Sequence, residues 1–194
     1  MSLMQAQRHE EKYLNSTLLK SSKDLGWSTL FAELRSYNRY EGPGGPAPTD
    51  AEVGIVVRGS DEPVTYKVGG SWQSTRPTTG SIWLRPIGRT SDEVRVGSAN
   101  FQALHLYMSS VVFARLKDDY NLRAVPGHSI RYFCGVRDEV INQIGLSVLS
   151  EVMSPTAAGR MLVETSSLLL AAASALTLRD RAYPAAHAVP ASAG

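Results

Sequence analysis

Between residues 25 and 108 apolar side chains recur at a period of two in short runs, and after residue 109 the period lengthens toward 3.6. The pattern predicts a β-rich unit followed by helices. The candidate strands are "GWSTLFAELR", "AEVGIVVRG", "VTYKV", "SWQSTR", "SIWLRP", "EVRVG" and "ALHLYM". Each is rich in Val, Ile, Tyr, Trp or Thr and is bounded by Gly, Pro or Asp clusters, as in an antiparallel sandwich or barrel. In "KVGGSW", Gly69 and Gly70 predict a two-residue hairpin turn, because both central positions demand positive φ. Between the first two strands, "YEGPGGPAPTD" is expected to be loop, since its prolines lack the N–H that a sheet ladder uses.

Beyond residue 109, "SSVVFARL" offers a serine N-cap before an apolar turn. "RDEVINQIGLSVLSEVM" places Val140, Ile144 and Val148 on one stripe with Ile141 and Val152 beside it, which predicts an amphipathic helix. After "SPTAAGR", the run "MLVETSSLLLAAASALTLRD" predicts a second helix whose Ala and Ser allow close helix contact. Two helices joined by a short connection predict an antiparallel pair, laid on the barrel or on another chain. The expected organisation is an arm over 1–23 with a helical start, a barrel over 24–110, a helical segment over 111–182 and a disordered Pro/Ala tail over 183–194.

Composition narrows the class. A chain of 194 residues is long enough to bury a core, and its net charge of +2 points to neither nucleic acid nor membrane as a partner. The lone cysteine, Cys134, closes no internal disulfide and reads as a small buried hydrophobe in a reducing compartment. No segment has the charged and apolar regions of a signal peptide, and the near-apolar run 168–178 is too short to span a bilayer. The chain is therefore expected in the cytoplasm.

One stretch carries more. In "GSIWLRPIG", Gly80, Pro86 and Gly88 are set to end a strand in a tight turn, and upstream Glu52 and Gly59 are separated by six residues. Both spacings resemble the two motifs of the cupin superfamily, small jelly-roll barrels. The resemblance implies a mostly β fold, a cupin-like double-stranded β-helix followed by two antiparallel helices. Metal-binding cupins carry histidines where this chain has Pro46 and Pro48, or Gly45 and Ala47 in the alternative spacing, and Ser91. Proline cannot ligate and serine is a poor ligand for transition ions, so no metal or other cofactor is expected. In the cupin register Glu52, Gly54 and Val56 face inward. Glu52, Trp83, Arg85, Arg95, His105 and Tyr107 are then candidates for a polar pocket holding a small hydroxylated ligand, with rim and core roles as the alternative. His9, His128 and His187 fall in arm, loop and tail, and no nucleophile elbow or P-loop is present, so an enzyme is not expected.

The parts in order, "DLGWSTLFAELRSY", "AEVGIVVRG", "GSIWLRPIG", "ALHLYMS", "GVRDEVINQIGLSVLSEV" and "AGRMLVETSSLLLAAASAL", resemble the amino-terminal half of AraC-type bacterial transcription regulators. The resemblance implies a degenerate cupin barrel that binds a small effector, a sugar being one candidate, and a helical pair that forms a homodimer. It implies DNA contact only through a carboxyl-terminal helix-turn-helix domain, for which this chain shows no pattern. Ile141, Ile144, Val148, Leu162, Leu168 and Leu169 are the candidate dimerisation residues, with packing on the barrel as the competing role. Two other functions stay open: a metal-independent cupin enzyme using His105 and Glu52 on a sugar or small acid, and a stand-alone module that forms heterodimers with a full-length regulator.

Overall fold

The computed structural model describes residues 16–97, 101–123, 127 and 130–177. The expected helical start of the arm, the tail 183–194, and His9, His128 and His187 lie outside them.

Among the described residues ten strands and three helices follow one another as β1 (Ser16–Ser21), β2 (Leu30–Tyr37), β3 (Tyr40–Pro43), β4 (Ala51–Arg58), β5 (Val64–Val68), β6 (Ser71–Thr75), β7 (Ile82–Arg85), β8 (Glu93–Val96), β9 (Phe101–Met108), α1 (Ser110–Asp119), β10 (Phe133–Val136), α2 (Glu139–Met153) and α3 (Gly159–Ala172). A π-helical turn, Ala173–Thr177, extends α3. A six-stranded sheet runs β1-β2-β9-β4-β7-β10 and a four-stranded sheet runs β3-β8-β5-β6. All neighbouring strands are antiparallel. From β2 to β9 the chain passes repeatedly between the two sheets, which makes the domain a cupin-like jelly roll.

Three expectations need correction. Tyr40–Pro43, read as loop, is β3: as an edge strand it tolerates a proline at its last position. Ser16–Ser21, read as arm, is β1, paired with β2 despite its mostly exposed side chains. Phe133–Val136 lies past the barrel's expected end at residue 110, yet as β10 it completes the large sheet beside β7. The turns are as expected. Gly69 and Gly70 have φ of 58° and 82° between the paired Val68 and Ser71.

The period of two divides the large sheet into unlike faces. On β2 and β9, Leu30, Ala32, Leu104, Leu106 and Met108 join an outer apolar cluster, while Phe31, Tyr37, Phe101, Ala103 and Tyr107 face the small sheet. The helices cover the outer cluster. Asp138 caps α2 by accepting from Ile141 N at 3.1 Å, and Ile141, Ile144, Val148 and Val152 are buried there with Val163 and Leu170 of α3. Val140, placed on that stripe by the sequence, is 52% exposed instead.

Ile141, Ile144 and Val148 are thus spent on packing within the chain, not on a dimer face, which corrects that assignment. Each such side chain contributes roughly 1.5–3 kcal/mol by burial. Leu168 is half-buried against the same cluster, whereas Leu162 and Leu169 stay exposed at 37% and 53%. Among the described residues no helix is long and apolar enough to cross a membrane.

Candidate functional site

The interior between the sheets is polar in its middle. Because β2, β9, β4 and β7 are adjacent, inward positions on four strands meet: Glu33 pairs with His105, His105 with Gly54, and Glu52 with Arg85 and Tyr107. The side chains then form a connected chain. Tyr37 Oη lies 2.7 Å from His105 Nε2, His105 Nδ1 lies 2.8 Å from Glu52 Oε1, and Glu52 Oε2 lies 4.0 Å from Arg85 Nη1. A carboxylate can only accept, so Nδ1 carries the proton and donates to Glu52 while Nε2 accepts from the Tyr37 hydroxyl.

Electrostatics agrees with a neutral imidazole. Burial, opposed by the hydrogen bond to Glu52, lowers the His105 pKa below its ordinary 6.5, and Arg85 and Arg35 lower it further. Burial, reinforced by Glu52, pushes the Tyr37 hydroxyl well above its ordinary range, so it stays protonated. Beside this chain Arg35 Nε donates to Glu33 Oε2 at 2.8 Å, with both side chains 3% exposed. Arg35 also reaches Ser16 Oγ on β1 at 3.1 Å.

Aromatic rings enclose the polar middle. Tyr37 stacks on Phe101 at 4.6 Å, Trp83 meets Phe101 edge-on at 6.0 Å, and Tyr107 stacks on Phe31 at 5.9 Å. Toward β10, Cys134 is packed against the interior aromatic cluster. Burial pushes its thiol up to about 11, so it is no nucleophile at neutral pH.

The structure therefore gathers Glu52, Trp83, Arg85, His105 and Tyr107 in one interior. Arg95 is corrected: alternation turns it to the outer side of the small sheet, where it pairs with Glu41 at 2.9 Å and lies 4.4 Å over the Trp72 ring. The sequence reading missed Tyr37, Glu33 and Arg35, although "FAELRSY" already shows polar residues at period two, and it missed Tyr66 and Tyr132, which no local pattern marks.

Among the described residues no group of three or more His, Cys, Asp or Glu is placed to hold a metal. His105 and Glu52 are two donors, and both imidazole nitrogens are engaged. Chemically, Tyr37, His105 and Glu52 form a line of hydrogen-bonded groups along which a proton can pass.

No family model matches the chain, and no curated protein does. Solved structures similar to it include a putative ethanolamine utilization protein, EutQ, of Salmonella typhimurium, at 17% identity and a TM-score of 0.34, covering 48% of this chain and 67% of that one. Oxalate decarboxylase from Bacillus subtilis is similar at 14% identity and 0.36, over 48% of this chain and 24% of that one, so this chain spans about a quarter of that enzyme. The Schizosaccharomyces pombe Cnp3 cupin domain is similar at 10% and 0.39, over 58% and 75%. Likenesses this distant carry no activity across. The strand order itself makes the barrel cupin-like.

Proposed function

We propose that this chain is the effector-sensing and dimerisation region of an AraC-type bacterial transcription regulator, acting in the cytoplasm and reaching DNA only through a separate helix-turn-helix domain. One observation carries the reading. The large sheet holds a connected polar chain on its inner face and a helical layer with exposed apolar side chains on its outer face. Leu162 and Leu169 of α3, with Leu146, Met153 and Met161, supply the surface for a second copy. A small molecule that fits one arrangement of barrel and helices better than another would shift the population of dimer states by its difference in affinity.

An enzyme remains the second reading, favoured by the 2.8 Å contact between His105 and Glu52. Against it, His105 is 2% exposed and its far nitrogen is held by Tyr37, so no nitrogen is presented to a substrate. The test combines light scattering over a range of protein concentrations with a thermal-shift screen of small polar metabolites. A dimer weakened by Leu169→Arg, together with at least one stabilising compound whose effect is lost in Glu52→Gln, supports the reading. A strict monomer that no compound stabilises would sink it, and metal-free turnover of a stabilising compound would favour the enzyme.

A further inference from the structure

We infer that a cleft on the outer face of the small sheet binds a small zwitterion, its carboxylate taken by Arg39 and its ammonium by Glu62. The site lies outside the barrel interior and does not depend on the effector-sensing reading.

The cleft is the first observation. It has a volume of about 410 Å3, within the usual range for small-molecule sites, and Arg39, Glu41, Glu62, Arg95 and Gly97 are among its lining residues. β8 runs between β3 and β5, so Val96 is paired with Tyr40 on one side and with Val64 on the other. Gly97, two residues after Arg95, shares its outward direction by alternation and floors the cleft. Arg39 and Glu62 approach it from the two flanking strands. Two strand spacings set those flanks roughly 10 Å apart.

Gly97 is the second. Its φ is not positive, so the backbone does not ask for glycine. A Cβ there would meet Glu62 Oε2 at 2.5 Å. The carboxylate therefore rests over bare backbone, where any side chain at 97 would displace it. Glycine at a strand position often marks such a close approach.

Charge is the third. Within the cleft Glu41 and Arg95 neutralise each other at 2.9 Å. Arg39 and Glu62 form no ion pair with each other or with another described residue. One cation and one anion thus face a common space. A simple anion would gain Arg39 and be repelled by Glu62, and a simple cation the reverse, whereas a molecule carrying both charges gains from each. A guanidinium meets a carboxylate through two parallel N–H donations, and the Glu62 carboxylate accepts from an ammonium. Free α-amino acids and short peptides share this chemistry. A dipeptide separates its charges by one more Cα step, up to about 3.8 Å.

Calorimetric titration of the full chain with L-alanine, L-leucine and L-alanyl-L-alanine at low ionic strength tests the inference, with the N-acetylated and C-amidated form of each as counterparts. Binding is expected in a zwitterionic arm and about fivefold weaker, or less, in its blocked forms. Which zwitterionic arm binds separates amino acid from peptide. Arg39→Gln should weaken that binding about fivefold and erase the further cost of amidation, and Glu62→Gln should do the same for acetylation. Both side chains are exposed, so both variants should keep a native melting profile. Gly97→Ala, which moves only the flexible end of Glu62, should also fold and bind more weakly. Blocked forms that bind as tightly as the zwitterions, affinity unchanged in Arg39→Gln and Glu62→Gln, or no binding up to about 10 mM in any arm overturns the inference. Each of these results leaves the sensor reading standing, because that reading rests on the interior and the helical layer.

Discussion

Replacing Ile141 by alanine separates the core role of α2 from a dimer role. Ile141 is 0% exposed and belongs to the cluster joining the helices to the outer face of the large sheet. The substitution removes three carbons, worth about 2.4 kcal/mol at roughly 0.8 kcal/mol each. A residual cavity of about 40–70 Å3 adds roughly 1–1.7 kcal/mol at about 24 cal/mol per Å3. The expected loss is therefore about 3.5–4 kcal/mol, which lowers the melting temperature by roughly 7–16 °C at about 2–4 °C per kcal/mol. Urea unfolding at several protein concentrations reads the effect, because a dimer term would make the midpoint depend on concentration. Val140→Ala, at a side chain of the same helix that is 52% exposed and outside the proposed dimer surface, is the control and should stay within about 0.5 kcal/mol of the parent. A loss under about 1 kcal/mol for Ile141→Ala, with weakened dimerisation, would refute the packing assignment.

Glu52→Leu strands Arg85 and His105 in the interior, and urea unfolding should show a loss of about 3–5 kcal/mol. His105 titrates against Glu52, Arg85, Arg35, Glu33, Tyr37 and Tyr107, and its folded pKa lies below the ordinary 6.5. Below pH 6.5 the unfolded chain then binds the extra proton, so this contribution is complete above that pH and is lost as pH falls toward the folded pKa. The slope is at most about 1.4 kcal/mol per pH unit for one proton. His105→Gln should flatten that part of the stability profile, and an unchanged profile would contradict the assignment. Asp138→Ala removes the cap on Ile141 N, with an expected cost of about 1 kcal/mol by thermal unfolding.

Alternation and turn residues made most of the barrel legible. "VTYKV" is β5 to the residue, and the Leu104, Leu106, Met108 against His105, Tyr107 pattern correctly divides β9 into an apolar and a polar face. β3 and β1 were hidden because edge strands need little burial: Tyr40–Pro43 is stabilised by a ladder to β8, which no local preference announces. β10 is four residues long, and only its partner β7, far back in sequence, makes it a strand. In the site, Glu52 and His105 were visible as polar residues on inward faces. Arg95 misled because the small sheet exposes its outer face, so alternation allows charge there without a place in the interior. For α2, a helical stripe states that a face is buried and is silent on what covers it; here the barrel covers it, which is why Ile141, Ile144 and Val148 passed for dimer residues.

The same strands that hold the polar interior hold the helices, and Gly145 is one place where the two meet closely. Gly54 faces inward while its neighbours Val53 and Ile55 face α2, so a ligand that displaces β4 moves both faces together. Gly145 of α2 lies directly on Ile55: a Cβ there would run into the Ile55 Cδ1 methyl and stand 3.8 Å from Leu104 Cδ2. Gly145→Ala gains roughly 1 kcal/mol of helix propensity. It also forces the Ile55 methyl to turn within a core where that residue is 1% exposed, an overpacking cost of roughly 1–3 kcal/mol. Urea unfolding should therefore show a net loss of up to about 2 kcal/mol. Under the proposed sensing role the variant keeps its interior unchanged and still binds the effector, while the link between binding and dimerisation, read by light scattering with and without ligand, is altered. A variant with native stability and native coupling would mean that α2 does not read the position of β4 through this contact.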